Sequence, residues 1–596
     1  MPSTQGGSWL LEPAASIFTP ERLSEEHRLM AQTTEAFVNA EVLPGLDRLE
    51  SKDWALARSL LRRCGELGLL GISAPEEFGG LDLDKASALV VVEGIARSAS
   101  FATIFGGQAN LTILPLVLFG TQAQKERYLP RLISAEIVGA YALSESGSGS
   151  DALAARTRAV RRDDGNWVLN GEKMWISNGG FADLIVVFAK VDGEQFTAFL
   201  VERAFPGVSS GNEEHKMGLH GSSTTPILLQ DAVVPAENVL GEIGRGHKVA
   251  LNTLNYGRFS LGAMCTGGAK GAIGEAVRYA TSRRQFGQPI AAFGAIRHKL
   301  GEMIARTYAA ERLVYRMAGL IDAALAERDT PGSPAAAEGK RAGEAIAAAF
   351  EQFAVEASIA KVACTEVLDY VLDENVQIHG GNGYVKDYAA ERHYRDARVN
   401  RIFEGTNEIN RLLIPGMLVR RAIKGELALI PAARQLQDEI LSGPAAGRSG
   451  GDEAPLDAEL ATVGACKKVA LMVLGTAMQT YGQKLSDEQE VLGLAADILI
   501  DIFAAESAVV RARQAAAAGR ADAPLHAAAA RLFAAGAAER VESNARGALA
   551  AMSEGDALRT LLAALRRLLK IAPLNTVALR RTLADAAVGG GRYILG

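Results

Sequence analysis

Trp167-Val168-Leu169-Asn170-Gly171-Glu172-Lys173-Met174-Trp175-Ile176-Ser177 is the stretch that decides the fold, because here a helical chain gives way to strands. Apolar and aromatic residues flank Asn170-Gly171, the dipeptide favoured in two-residue turns, and predict a hairpin centred there. Leu184 to Ala189 and Phe196 to Val201, separated by Asp192-Gly193, read as two further strands, buried ones.

Outward from this β region the pattern is helical on both sides. From Thr19 to about Ala135 apolar residues recur at three and four, with Thr19-Pro20 as a start signal and Gly79-Gly80 as a stop. The helical period returns after Gly246 and persists to about Ile423, interrupted by Thr330-Pro331-Gly332-Ser333-Pro334, a loop between two long helices. A block of this length predicts a bundle. The Gly, Pro and Ser content of residues 442–451 marks a linker, and beyond it the chain is helical to about Ile571, with Ser486 and Gln489 spaced as a capping box. The expected plan is a helical domain (1–137), a β domain (138–246), a helical bundle (247–430), a linker (431–456) and a second helical domain (457–596): mainly α with a central β domain. That order argues against an alternating βαβ nucleotide-binding fold.

Composition agrees with a multidomain globular chain. It has 596 residues, 48% hydrophobic and 22% charged, enough for a substantial core. A net charge of −6, from 63 basic and 69 acidic side chains mixed along the chain, argues against a nucleic-acid partner. Cys64, Cys265, Cys364 and Cys466 are too scattered for a metal knuckle or a disulfide framework, which suggests a reducing compartment. Met1 to Ser16 lacks the pattern of a signal peptide or mitochondrial presequence, and no run of about 18 apolar residues free of charge is expected to span a bilayer.

Four stretches carry chemistry. Tyr141-Ala142-Leu143-Ser144-Glu145-Ser146-Gly147-Ser148-Gly149-Ser150-Asp151 offers hydroxyls and backbone N–H groups to a polar ring or a phosphate; the alternative is a solvated loop. Trp175 and Ser177, two apart on a strand, share a face suited to stacking on and hydrogen-bonding one flat ligand; the alternative is a core tryptophan. Arg283-Arg284-Gln285-Phe286-Gly287-Gln288 places two guanidinium groups beside a glycine turn, suited to a pyrophosphate or, more simply, to the end of a helix. Gln377-Ile378-His379-Gly380-Gly381-Asn382-Gly383-Tyr384 is a Gly-rich turn, followed by Arg401-Ile402-Phe403-Glu404-Gly405-Thr406-Asn407-Glu408. Burial of Glu404 beside Ile402 and Phe403 would raise its pKa and make it a general base; otherwise it is a helix-entry glutamate.

Other signals are weaker. Gly267 to Gly274 lacks the setting of a dinucleotide fingerprint or P-loop and reads as close helix packing. His215 and His220 lack further ligands, so no metal site is expected. The two Gly-x-Ser-x-Gly matches, at Ser209 and Ser449, lack the strand-turn-helix context of a nucleophile elbow.

Taken in this order, the four stretches resemble the acyl-CoA dehydrogenase family over roughly Thr19 to Ile423. The resemblance implies FAD held between the helical domain, the β domain and the bundle. It places Tyr141, Leu143, Ser144 and Gly149 at the flavin, Ser150 at cofactor and acyl-CoA, Trp175 over the isoalloxazine and Ser177 near N5. Arg283, Gln285 and Phe286 would contact the FAD pyrophosphate of the neighbouring subunit. Phe293, Gly294, Gln377, Gly380 and Gly381 would complete the adenine and pyrophosphate pocket, with Thr406 and Glu408 against the dinucleotide. Glu404 matches the family's catalytic base, which removes the α-proton of the thioester to give a trans-2-enoyl-CoA, with its own backbone N–H and a ribityl hydroxyl stabilising the thioester oxygen. Some members carry the base just before an arginine on a bundle helix; here Gly257 precedes Arg258, which leaves Glu404. Arg258 and Gly405 are expected at the substrate. Ser146 departs from the proline of many members.

The additional helical block resembles the very-long-chain branch. Gly106 and Gly107, on the helix expected to floor the pocket, suggest acyl chains of roughly 12 carbons or more, with Leu114 and Pro115 able to narrow the channel. Leu558, Leu561, Leu562, Leu565, Leu568 and Leu569, flanked by Arg559, Arg566, Arg567 and Lys570, form an amphipathic stripe expected to pack into the domain, with an anionic membrane as the alternative. The resemblance further implies a homodimer, electron-transferring flavoprotein as acceptor, a role in fatty-acid β-oxidation and a cytoplasmic, bacterial setting with peripheral inner-membrane contact left open. An oxygen-using acyl-CoA oxidase and a non-catalytic assembly or scaffold homologue are the alternatives.

Overall fold

The computed structural model describes residues 5–329, 342–441 and 454–596. The expected loop at Thr330–Pro334, the linker run 442–451 and the Ser449 match lie outside them.

Helices Glu25–Phe37, Trp54–Glu66, Lys85–Ile95, Ala99–Gln108 and Gln122–Ile133 form the amino-terminal part. Thr19-Pro20 opens only a short 3-10 turn; the first long helix starts at Glu25, where Ser24 and His27 cap each other's backbone N–H groups. The stretch Ala99–Phe119 carries no charged residue and is long and apolar enough to cross a membrane, as is Asp457–Asp487, contrary to the expectation that no such run exists. Within the protein 72% and 61% of their apolar windows are buried, so packing explains both.

The β region is an eight-stranded sheet: β1 (Gly139–Ala142), β2 (Arg158–Arg161), β3 (Trp167–Ser177), β4 (Leu184–Val191), β5 (Gln195–Glu202), β6 (Val208–Ser210), β7 (Thr224–Val234) and β8 (Val239–Leu240). Its order is β6-β7-β3-β2-β4-β5-β8, with β1 parallel to β4. Ser209 lies on β6, without a helix after it.

The hairpin predicted at Asn170-Gly171 does not form. Both residues belong to the continuous strand β3, and the dipeptide marks a bulge against β7, where the register shifts between Leu169 and Gly171. Asn170 is held by Asp231 across the bulge, its Nδ2 donating to Oδ1 at 3.0 Å. Gly171 is needed for close approach, since a Cβ there would stand 2.9 Å from the Cα of Thr157. The tight hairpin occurs instead at Asp192-Gly193-Glu194, with Asp192 and Gly193 at positive φ and Glu194 N donating to Val191 O at 3.2 Å, joining the buried strands β4 and β5.

Helices Gly246–Ser282, Gly294–Asp329, Ala354–His379 and Asn407–Ile423 make the bundle. Gly267 lets it approach the Lys85–Ile95 helix; a Cβ there would meet the Glu93 carbonyl oxygen at 2.3 Å. The carboxy-terminal block comprises Asp457–Tyr481, Gln489–Ala517, Ala523–Met552, Gly555–Leu568 and Thr576–Gly590. Ser486 does not cap the second of these: it lies inside the 3-10 turn Gly482–Asp487, and Glu488 precedes the helix without a side-chain cap. One hydrophobic core runs through bundle and block, and Trp9 of the amino terminus inserts between them, its ring 4.8 Å from Phe503. Buried pairs cross the same junction, Arg511 to Glu311 and Arg316 to Glu506, each 2.9 Å. The leucine stripe packs into this core through Leu558, Leu561, Leu562, Leu565, Leu568 and Leu569, leaving Arg559, Arg566, Arg567 and Lys570 exposed.

Candidate active site

Glu404 lies in the short link between the 3-10 turn Arg398–Arg401 and the Asn407–Ile423 helix. Glu404 and Gly405 both have positive φ, 57° and 81°. For a glutamate that conformation costs on the order of 1–2 kcal/mol and persists only where neighbours enforce it. Here Arg258 Nε donates to the Glu404 carbonyl at 3.2 Å, Asn410 Nδ2 donates to Gly405 O and Thr406 O at 2.8 and 3.0 Å, and Thr406 Oγ1 caps the following helix by accepting from Ile409 N.

The turn drives the carboxylate against Gly257. A Cβ at Gly257 would sit 2.5 Å from Glu404 Oε2, so residues 257 and 404 cannot both carry a side chain in this arrangement. Oε2 is buried with no hydrogen-bond partner. Burial raises the Glu404 pKa to about 7, against the opposing charges of Arg258 and Lys361. Burial lowers Arg258 to about 10, partly offset by Glu404, and its Nη1 donates to Asn255 Oδ1 at 2.9 Å.

Glu404 forms part of the wall of a cleft of about 100 Å³. Ser177, Phe403, Ala102, Gly106, Leu261 and Met264 line it as well. Gly106 leaves its part of the wall open, its nearest neighbour for a Cβ being Asn110 Nδ2 at 3.7 Å. Gly107 also serves packing: a Cβ would meet Asn178 Nδ2 at 2.6 Å, and that amide donates to Ile104 O and Gly139 O, tying the end of β3 to helix and β1. Behind the cleft lies a second, small apolar cavity of about 30 Å³, lined by residues including Leu70, Ala88 and Leu114. The two share Val92, Phe105 and Asn110, and Asn110 donates to Ser260 Oγ at 2.7 Å within this wall. Pro115 lines neither.

Tyr141, on β1, has a buried hydroxyl without a partner; burial first and the nearby Glu404 charge second push its pKa well up. After it the chain is fixed by a buried ion pair, Lys173 Nζ to Glu145 Oε1 at 2.6 Å. Glu145 also accepts from the N–H groups of Arg156 and Thr157. Burial works against this carboxylate, yet Lys173 and Thr157 hold it below its ordinary pKa. Lys173 further donates to Leu143 O and Met174 N to Ser144 O, so the loop is bound to β3 while Ser146, Gly149 and Ser150 stay exposed. Trp175 sits at a second bulge of β3, at φ 59° and 58% exposed, an unusual setting for an indole with no covering side chain.

The remaining predicted residues lie elsewhere. Arg284–Gln285 pairs with Gln288–Pro289 in a small exposed hairpin whose turn, Phe286-Gly287, has positive φ at both positions. Phe286 is 92% exposed and meets Phe293 edge-on at 5.9 Å; Arg283 and Gly294 are exposed too. Tyr279, one turn before this hairpin, donates to His379 O, so Gln377, Gly380 and Gly381 lie at the same end of the bundle. From Gly257 to the end of its helix at Ser282 is roughly 37 Å at about 1.5 Å per residue. The predicted residues therefore divide: one group surrounds Glu404, the other projects from the far end, with Thr406 and Glu408 at the start of the Asn407–Ile423 helix in the first.

Sequence reasoning missed Lys361, buried near Glu404 in the run Ser358-Ile359-Ala360-Lys361-Val362. A lone cation in an apolar helical run was the available signal.

Family models describing the acyl-CoA dehydrogenase N-terminal domain match residues 24–136, the middle domain 140–232 and C-terminal domains 244–417 and 465–567. The chain belongs to the acyl-CoA dehydrogenase family. A probable acyl-CoA dehydrogenase of Bacillus subtilis (strain 168) is 45% identical over 594 residues, covering 99% of this chain and 98% of the relative. The human very long-chain specific mitochondrial enzyme is 40% identical over 59% of this chain and 51% of its own length. Among solved structures, an acyl-CoA dehydrogenase complexed with FAD from Bacillus anthracis superposes with a TM-score of 0.95 at 45% identity, over 99% of this chain and 100% of that one. Butyryl-CoA dehydrogenase from Megasphaera elsdenii gives 0.59 at 36% identity over 67% of this chain and 99% of that one. This acyl-CoA dehydrogenase thus has relatives both with and without the carboxy-terminal block.

Proposed function

We propose that the protein is an FAD-dependent dehydrogenase that converts long-chain acyl-CoA thioesters to trans-2-enoyl-CoA in fatty-acid β-oxidation. The observation that carries this reading is the Glu404 carboxylate: half-buried in the wall of an apolar cleft, with Oε2 buried and unpartnered and the pKa raised to about 7. A carboxylate poised near neutrality is suited to take a weakly acidic α-proton and to hold it. The orphaned Tyr141 hydroxyl, the bare Trp175 indole and the open Ser144–Ser150 loop fit FAD, as the relative from Bacillus anthracis contains. FAD, when bound, supplies the acceptor for the hydride from the β-carbon.

The chain's own residues do the rest. Glu404 takes the α-proton. The N–H of Glu404, turned by the left-handed backbone and donating to no backbone carbonyl among the described residues, is available to the thioester oxygen as charge develops there. Arg258 holds the turn by its carbonyl. Apolar side chains exclude water around the acyl chain.

Long-chain preference is supported by Gly106, which leaves the cleft open where a side chain would close it, and by the apolar packing defect behind Phe105 and Asn110. A homodimer is supported by the far-end group: Arg283, Gln285, Phe286, Phe293, Gly294, Gln377, Gly380 and Gly381 cannot reach their own Glu404 and would complete the cofactor site of a second copy. Electron-transferring flavoprotein as acceptor and a cytoplasmic location belong to the same proposal. With the leucine stripe buried, only its basic face remains for an anionic membrane.

Anaerobic bleaching of the bound flavin by saturated acyl-CoAs of 4 to about 20 carbons tests the reading. Rates rising to a plateau at about 12 carbons and beyond are expected, with reoxidation by electron-transferring flavoprotein rather than oxygen. Reaction confined to butyryl-CoA would contradict the substrate class, and rapid peroxide formation the acceptor.

A further inference from the structure

Lys361 is fully buried on the Ala354–His379 helix, with its Nζ 2.6 Å from Asn407 Oδ1. Asn407 is the first residue of the helix that follows the Glu404 turn. Its Nδ2 donates to Thr365 Oγ1 at 3.1 Å and to Glu366 Oε1 at 3.0 Å. Glu366 is gripped by both terminal nitrogens of Arg411, at 2.7 and 2.9 Å, and Arg411 Nε reaches Asp497 Oδ1 at 2.7 Å. Asp497 lies on the Gln489–Ala517 helix of the carboxy-terminal block. A continuous polar chain thus runs from beside the base, through two bundle helices, into the extra domain.

We propose that Lys361 is a positioning residue for the base: through Asn407, Glu366 and Arg411 it ties the strained Glu404 turn to Asp497 and holds a buried ammonium near Glu404. The inference rests on the reading of Glu404 as the base. A buried ammonium needs partners for its protons, and the side chain that accepts from it here belongs to the residue that starts the next helix. A bidentate Arg411 fixes that helix in rotation, so the loop before it is held from both ends.

The groups facing Glu404 are Arg258 from the Gly246–Ser282 helix, Lys361 and Tyr141. Those facing Lys361 are Cys265, Glu404, Arg258, Glu366 and Glu408. Burial pulls Lys361 down to about 8, so both partners titrate near neutrality and the charge of one acts strongly on the other. Arg258 remains when Lys361 is neutralised, but its Nε is committed to the Glu404 carbonyl.

The test is the pH dependence of anaerobic flavin bleaching in holoenzyme carrying Lys361→Gln, Lys361→Arg, Asp497→Asn or Glu404→Gln. Lys361→Gln keeps a hydrogen bond to Asn407 and removes the charge; its acid limb should move up by about one unit, while Lys361→Arg leaves the limb in place. Asp497→Asn, at the distal end, should slow bleaching several-fold without moving the limb. Should Lys361→Gln fail to retain flavin, Lys361→Met carries the same expectation. An unmoved limb in flavin-replete Lys361→Gln, or a wild-type rate in Asp497→Asn, overturns the proposal. Glu404→Gln separates the two ideas: if it bleaches normally the base assignment fails, and if it is inert while the limb of Lys361→Gln stays put, only the role of Lys361 fails.

Discussion

Glu404 combines three costs: a left-handed backbone, a buried carboxylate and an oxygen without a partner. Such costs at one residue are stored where function requires them. They give two expectations. Between the unfolded value near 4.5 and the folded value of about 7 the native state holds the extra proton, so stability falls as pH rises through this window and stays lower above it. Glu404→Gln should therefore match the parent in thermal unfolding at pH 5 and exceed it at pH 8, by an amount on the order of 3 kcal/mol. Equal unfolding at both pH values would show that the carboxylate is not desolvated. Gly257→Ala, placing a Cβ 2.5 Å from Oε2, should displace the carboxylate and slow flavin bleaching about 10²-fold with little change in acyl-CoA affinity. A wild-type rate would mean that the carboxylate does not work where it is found.

At the scale of elements, periodicity made the order helices, sheet, helices readable, because burial of one face imposes 3.6- or 2-residue spacing on any chain. The strands β4 and β5 were readable for the same reason. Asn170-Gly171 misled because a dipeptide suited to a turn is also suited to a bulge, and only the partner strand, with Thr157 crossing close by, decides between them. Ser486 misled because its cap spacing fell one 3-10 turn short of the helix. The four chemical stretches were readable in sequence, and the resemblance already implied that Arg283, Gln285 and Phe286 face a neighbouring subunit; that Gln377, Gly380 and Gly381 lie with them was not readable, since helix length has to be converted into distance first. Lys361 stood out only as a lone cation in an apolar helical run, and its role was not readable because its partner, Asn407, is 46 residues away. The bulge carries its own expectation: Gly171→Val should clash with the Thr157 backbone and cost about 1–3 kcal/mol, read as a lowered Tm. An unchanged Tm would mean that the bulge is not fixed by this approach.

For the whole molecule, the exposed hairpin with Phe286 is proposed to meet a second copy of the chain. Subunit mixing tests this. A dimer of one Glu404→Gln chain and one Arg283→Ala chain has one of its two sites with its own Glu404 and its partner's Arg283 intact, so random mixing of equal amounts, which makes about half the dimers mixed, should restore roughly a quarter of the wild-type activity under closed two-fold symmetry. No recovery would place the hairpin at its own subunit's cofactor. The carboxy-terminal block shares a core and buried ion pairs with the bundle, so its removal is expected to unfold the bundle rather than release a separate domain.

The proposed role of Glu404 as the base of this acyl-CoA dehydrogenase can be read in a single turnover. Single-turnover bleaching of Glu404→Gln by a long-chain acyl-CoA tests it most directly, because flavin content and ligand binding can be measured on the same sample. The account predicts a yellow protein that binds the thioester normally and bleaches at least about 10³-fold more slowly than wild type. Bleaching at a near-wild-type rate would contradict it.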